Sequence, residues 1–113
     1  MIVHHHPAAT DFDRLEATLI VRVSGEIDQD HCQELAATIR ERMRPGDDAL
    51  LLNLSGVTFC GSAALALLVQ LQADADRSAT QFALVNPSPI IKAMVAVCGL
   101  NDTLRTWSST EAA

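Results

Sequence analysis

The sequence predicts an α/β fold: one domain with a mostly parallel central sheet of four to five strands, an N-terminal hairpin, and about three to four covering helices. Three observations support this. The chain has 113 residues, the usual size of one domain. Its 49% apolar and 19% charged residues are typical of a core-forming chain. Strand-like and helix-like segments alternate along it, an order that implies right-handed parallel crossovers.

The first half of the chain predicts a hairpin, a helix and a buried strand. A strand over residues 18–23, which ends at Ser24-Gly25, pairs with an earlier one near residues 12–15. A helix with Asp30 as its N-cap then ends at Pro45-Gly46. Residues 49–54 form a continuous apolar run, typical of a strand covered on both faces. The inward side of the helix consists of Leu35, Ala36, Ile39 and Met43.

The second half predicts two more helices and two more strands. After a connection over residues 55–61, a helix runs from Ser62 to about Ala75, followed by a strand at Gln81–Val85. Ser88 as N-cap and Pro89 at the first helical position begin the last helix. This helix ends at Gly99 with a Schellman contact from Leu100, and a final strand covers residues 103–107. The predicted inward residues of these helices are Ala64, Leu65, Leu68, Leu71, Ile90, Met94, Val97 and Cys98.

Charge and apolar runs exclude several classes of partner. Fourteen acidic and eight basic side chains give a net charge of −6, so a basic footprint for nucleic acid or an anionic membrane surface is missing. The apolar stretches are far shorter than the ~20 residues that span a bilayer. No export signal is recognisable, and the expected location is the cytoplasm.

The cysteines and histidines predict neither a disulfide framework nor a metal site. Cys32, Cys60 and Cys98 are odd in number and form no C-x-x-C pair, so we expect three free thiols. Cys60 follows a strand at the edge where sites form, and is expected to be the thiol that contacts a partner. If any disulfide forms, Cys32–Cys60 is the less strained choice. His4–His6 belong to a loose tail; residues 1–15 are expected to be that tail with an edge strand, and residues 16–110 the domain.

No catalytic motif is present, and the sequence does not indicate an enzyme, a cofactor or a metal. P-loop, G-x-G-x-x-G and G-x-S-x-G patterns are absent. The candidate residue is Ser62, at the start of a helix. An N-cap serine is the ordinary explanation, worth ~1 kcal/mol. A phosphoryl acceptor is the alternative, because the helix start would stabilise the added negative charge.

Three segments carry a resemblance to a known family. Residues 23–28 (VSGEID), 52–59 (LNLSGVTF) and 84–89 (LVNPSP) resemble the STAS-domain family of anti-sigma factor antagonists, in the same order and spacing. The likeness runs from about Thr18 to Trp107. It implies a non-enzymatic regulator, a monomer or weak dimer, that binds an anti-sigma factor and so releases a sigma factor.

The resemblance also implies a regulated site. The family's phosphorylated serine falls on Ser62, and the aspartate beside it falls on Asp28. The partner is expected to be a serine/threonine kinase that uses its own ATP. Phosphorylation of the serine is expected to block binding of this partner. The sequence departs from the family pattern at Gly61, where an aspartate is usual. The expected partner-binding residues are Glu26, Asp28, Cys60, Gly61, Ser62 and Ala63.

A second function fits the same residues. A STAS binding module without phosphorylation, such as the STAS subunit of a lipid-transport ABC system, often keeps a hydroxyl at the position of Ser62. The absence of a carboxylate at position 61 removes both a charge that a kinase recognises and a charge that would repel phosphoserine. The sequence leaves the two functions open.

Overall fold

The computed structural model describes residues 8–108, and His4–His6 lie outside this range. Within it, strands and helices alternate after an initial hairpin. No helix there combines the length and apolar character needed to cross a membrane. The elements are β1 (Ala9–Leu15), β2 (Thr18–Ile27), α1 (Gln29–Arg42), β3 (Ala49–Cys60), α2 (Ser62–Arg77), β4 (Gln81–Val85), α3 (Pro89–Val97) and β5 (Thr106–Trp107).

The sheet has the order β1-β2-β3-β4-β5. β1 and β2 are antiparallel, with Leu15 opposite Thr18 across a tight turn. Glu16 in that turn has φ 54°, in the left-handed region that tight turns use. The remaining neighbours are parallel. The predicted mixed sheet with an N-terminal hairpin is therefore confirmed, and β4 has the predicted bounds.

The helices cover one face of the sheet, which corrects the prediction for residues 49–54. Because strand order follows chain order from β2 to β5, right-handed crossovers return every helix to the same side. Along β3, Leu50, Leu52 and Leu54 are buried, whereas Leu51 on the other face is half-buried. The core joins these alternate residues to those of all three helices, including Leu35, Leu68 and Ile91.

β2 and β3 extend well beyond their predicted ends. β2 continues through Ser24-Gly25, where Gly25 has φ 86°. β3 continues through the predicted connection to Cys60, and its pairing with β2 shifts register twice, each time with an extra residue in β3. These bulges change the interval at which the side chains of β3 are buried. Leu54, Val57 and Cys60 are buried at intervals of three, so the alternation that identifies a strand is lost.

The end of α3 follows the local prediction, but its inward face does not. Ser88 is the N-cap, and the Leu100 backbone N–H donates to the Val95 carbonyl at 2.9 Å, the predicted Schellman bond. Ile91 and Val95 are the buried residues of α3. Val97 and Cys98 are exposed, because Ile91 and Val95 define the buried face of α3 and these two residues lie on other faces of the helix. β5 is also shorter than predicted.

An ion pair ties the hairpin to the loop after α1. The Arg14 guanidinium donates to both carboxylate oxygens of Asp47, at 2.7 and 3.1 Å. The backbone N–H of Arg44 donates to the same carboxylate at 2.7 Å. The Arg14 hydrogen bond is the largest cause that holds the pKa of Asp47 below its usual range. This network lies at the amino ends of the parallel strands, opposite the edge described next.

Candidate functional site

Three segments meet where the parallel strands end, and they build what we call the carboxyl edge. These are residues 24–31, 55–63 and 86–90. Ile27 at the end of β2 lies opposite Cys60 at the end of β3. The backbone N–H of Ser88 donates to the Leu54 carbonyl at 3.2 Å, which joins the loop after β4 to β3. The three segments are thus brought together at one edge, as expected where parallel strands end.

Asp28 is the N-cap of α1, whereas the sequence predicted Asp30. β2 extends to Ile27, so the helix starts earlier than the sequence indicated. One Asp28 carboxylate oxygen accepts a hydrogen bond from the His31 backbone N–H at 2.9 Å. His31 Nδ1 lies 2.8 Å from the same oxygen, an ion-pair distance without the angle of a hydrogen bond. The backbone bond is the largest cause that lowers the pKa of Asp28, so this exposed carboxylate is ionised at neutral pH.

Ser62 is the first residue of α2, and Gly61 is the N-cap, which corrects the N-cap expectation for Ser62. The Ser62 side chain is exposed at the positive end of a 16-residue helix, and α2 has no side-chain cap. Gly61 has extended backbone (φ −104°), and a Cβ built there would meet nothing within 4 Å. Ala63 is half-buried against the core. The hydroxyl of Ser62 is thus accessible to another protein.

Cys60 is buried, contrary to the expectation that its thiol faces a partner. Its side chain is 3% exposed, and its Sγ lies 3.2 Å from the Sδ of Met94 in the middle of α3. Burial raises the pKa of the Cys60 thiol, which keeps it protonated and unreactive. The cause is the second bulge, which turns Cys60 toward the helices. Cys60 can therefore contribute to a surface through its backbone alone.

The three cysteines are free, as predicted. Cys32 is buried, and desolvation raises its pKa, with a smaller contribution from Cys60. Cys98 is exposed and lies one helical turn beyond Met94. The most accessible thiol is therefore Cys98 rather than Cys60.

Phe59 is a surface residue of the carboxyl edge that the sequence did not indicate. Its side chain is 56% exposed, and Glu26 lies opposite it on β2, half-buried. The missed signal is the spacing of the apolar residues. Val57 and Cys60 both face the core although they are three residues apart, which requires a bulge between them. This bulge turns the intervening Thr58 and Phe59 outward.

No group of three or more His, Cys, Asp or Glu within residues 8–108 is arranged to hold a metal ion. A cleft of about 580 Å³ lies between the carboxyl ends of α1 and α2, away from Ser62. Its lining includes Ile39, Met43, Leu71, Arg40 and Arg44. The functional groups of the carboxyl edge are the exposed side chains of Asp28, Phe59 and Ser62, which are accessible to another protein.

A family model described as "Mlab, STAS domain" matches residues 10–106. The chain belongs to the STAS-domain family. Among curated proteins, none matches its sequence.

Solved structures share the fold of this STAS domain along nearly the whole chain. The anti-sigma factor antagonist SpoIIAA in its unphosphorylated form is 22% identical with a TM-score of 0.77, over 92% of both chains. An anti-sigma factor antagonist from Mycobacterium paratuberculosis is 27% identical with a TM-score of 0.74, over 89% of this chain and 86% of its own. The Bacillus cell fate determinant SpoIIAA in its phosphorylated form is 22% identical with a TM-score of 0.73, over 92% and 96%.

Proposed function

We propose that this STAS domain is an anti-sigma factor antagonist and therefore a regulator of transcription in the cytoplasm, where sigma factors act. It binds an anti-sigma factor through the carboxyl edge and so releases a sigma factor. The structural neighbours described as anti-sigma factor antagonists support this role. The single observation that carries the proposal is the exposed Ser62 at the first position of α2, at the edge where Ile27, next to Asp28, pairs with Cys60.

Phosphorylation of Ser62 is the proposed switch. A phosphoryl group would lie at the start of a long helix, where free backbone N–H groups and the helix dipole stabilise negative charge. It would add roughly −1.5 to −2 units of charge to an edge that already holds Glu26 and Asp28. If the partner is a serine/threonine kinase, its ATP phosphates must approach the Ser62 hydroxyl. The negative charge of a phosphoserine would then be repelled by those phosphates, and the complex would dissociate.

Gly61 favours a second candidate, a STAS module that binds its partner without phosphorylation, such as a subunit of a lipid-transport ABC system. The usual carboxylate is missing next to the acceptor, and the matching family model is described as a Mlab STAS domain. In that case the same edge binds a partner subunit, and Ser62 serves as a helix-start residue.

The test is a pull-down from the source organism, followed by titration of the recovered anti-sigma factor with purified variants. Ser62→Ala is expected to bind like the wild type, because it adds no charge. Ser62→Asp should weaken binding by about 30-fold or more, since an unpaired charge at an interface costs about 2 kcal/mol or more. Mass spectrometry of the wild type incubated with ATP and the partner locates any phosphoryl group.

Ser78→Asp is the matched control, because Ser78 is an exposed serine at the other end of α2. It should leave partner affinity unchanged. Equal affinities for Ser62→Asp and the wild type would contradict the switch. Recovery of permease and ATPase subunits instead of an anti-sigma factor would favour the second candidate.

A further inference from the structure

Phe59 is exposed in a way that core formation does not explain. It belongs to β3, whose other large apolar side chains are buried or half-buried, yet more than half of its surface is open to solvent. The two bulges in β3 produce this exposure, because they turn Val57 and Cys60 inward and leave Phe59 outward. An exposed aromatic ring on a protein surface is typical of an interface anchor, since it buries a large area at little cost in conformational freedom.

The surface beside Phe59 is acidic. Glu26 lies opposite Phe59 in the β2–β3 pairing, and Asp28 and Asp30 follow it in the chain. The segments of the carboxyl edge, residues 24–31, 55–63 and 86–90, contain no Lys or Arg. Lys92, in the first turn of α3, is the basic residue that follows these segments, whereas Arg40, Arg42 and Arg77 lie in the last turns of α1 and α2 at the opposite edge. The carboxyl edge therefore carries the acidic side chains Glu26, Asp28 and Asp30 near the aromatic ring, without a basic residue in its own three segments.

We propose that Phe59 is the apolar anchor of the partner interface, and that the partner offers an apolar pocket with Lys or Arg side chains facing Glu26 and Asp30. This inference rests on the proposed function and names the chemistry of the partner's surface. Ser62 lies three residues beyond Phe59, on the α2 side. The nucleotide of a bound kinase would face Ser62, while the basic groups meet the β2–α1 side of the ring. One surface then holds the apolar anchor Phe59, the acidic pair Glu26 and Asp30, which we call the charge filter, and the switch residue Ser62.

The anchor is tested with Phe59→Ser and Phe59→Leu, using the purified anti-sigma factors encoded in the source genome as probes in isothermal titration. Phe59→Ser should weaken binding by about 30-fold, the loss typical of a hot spot, and Phe59→Leu should lose less. Leu15→Ser is the matched control, because Leu15 is 67% exposed at the opposite edge. Unchanged thermal unfolding of both Phe59 variants would show that the fold is intact.

The charge filter is tested with the double variant Glu26→Gln/Asp30→Asn. It should slow association by about three- to tenfold and reduce its dependence on salt, because complementary charges act mainly on the association rate. Glu41→Gln/Asp48→Asn removes the same charge from exposed positions away from the carboxyl edge and should have no such effect.

The outcomes separate the two proposals. If Ser62→Asp weakens binding but Phe59→Ser binds like the wild type, the anchor is refuted and the proposed function stands. If no anti-sigma factor binds the wild type, the proposed function fails and the anchor fails with it. Sedimentation that shows Phe59→Ser disrupting a dimer of this chain, with partner affinity unchanged, would also refute the anchor.

Discussion

Gly56 determines how β2 and β3 fit together beside the site, and Gly56→Ala should be destabilising. An ideal Cβ at this position would lie 2.7 Å from Ser24 Cβ and 3.3 Å from Ser24 Cα. Ordinary contacts between such carbons are 3.4 Å or longer, so the two strands would have to separate by roughly 0.7 Å or more. Ser24 and Gly56 are partners between the two register shifts, so the strain would fall on the strand ends that carry Phe59 and Asp28.

The expected cost follows from overpacking. Forcing one extra methyl group into a close contact costs about 1–3 kcal/mol, and the higher strand propensity of Ala offsets about 0.5 kcal/mol. A net loss of about 1–2 kcal/mol corresponds to a lower Tm by about 5–10 °C in a domain of this size. Urea denaturation of the wild type and variant at the same pH measures the free energy of unfolding directly.

Two further variants make this prediction specific. Gly61→Ala should cost less than Gly56→Ala, about 0.5 kcal/mol, because the space that a Cβ would occupy at Gly61 is open and the loss is limited to the poorer N-cap preference of Ala. In a Ser24→Gly background, Gly56→Ala should cost about 1 kcal/mol less, since the nearest clashing atom is gone. If Gly56→Ala is as stable as the wild type, or if Ser24→Gly does not change its cost, the packing argument is wrong.

Three other outcomes are expected. Asp47→Ala should cost about 2 kcal/mol at neutral pH, because the charged bonds from Arg14 and the Arg44 backbone are lost. Since its folded pKa is lowered, the difference from the wild type in urea denaturation should shrink as the pH falls below about 4; a pH-independent difference would contradict this. In native protein a maleimide should label Cys98 quickly and the two buried thiols only on unfolding, as peptide mapping can show. Gly61→Asp should raise stability by about 0.5 kcal/mol, because α2 gains a side-chain cap; a lower Tm would show that the carboxylate does not cap the helix.

Local chemistry made some elements predictable. The bounds of β4 agree with the sequence, and α3 begins after Ser88 and ends before Gly99 as predicted. Proline at the first helical turn and glycine with φ 70° after the last one act within a few residues, so no tertiary contact is needed to recognise them. The convergence of the three edge segments was also predictable, because strand and helix order alone determines which ends of parallel strands meet.

The site itself required information from distant residues. The sequence indicated Asp28 and Ser62 through motifs, but placed the N-cap of α1 at Asp30, two residues too late, because the extension of β2 to Ile27 depends on its pairing with β3. The same pairing introduces the bulges that bury Cys60. A thiol just after a strand looks accessible in the sequence, and only its 3.2 Å contact with Met94 shows otherwise.

The sequence by itself determined the alternation of elements, the mixed sheet and the position of Ser62 at a helix start. These features follow from composition, periodicity and capping, which act over a few residues. Tertiary structure alone decided that the helices share one face, that Cys60 is inward and that Phe59 is outward. The physical reason is register: two extra residues in β3 are accommodated against β2, and each one rotates every following side chain relative to the sheet.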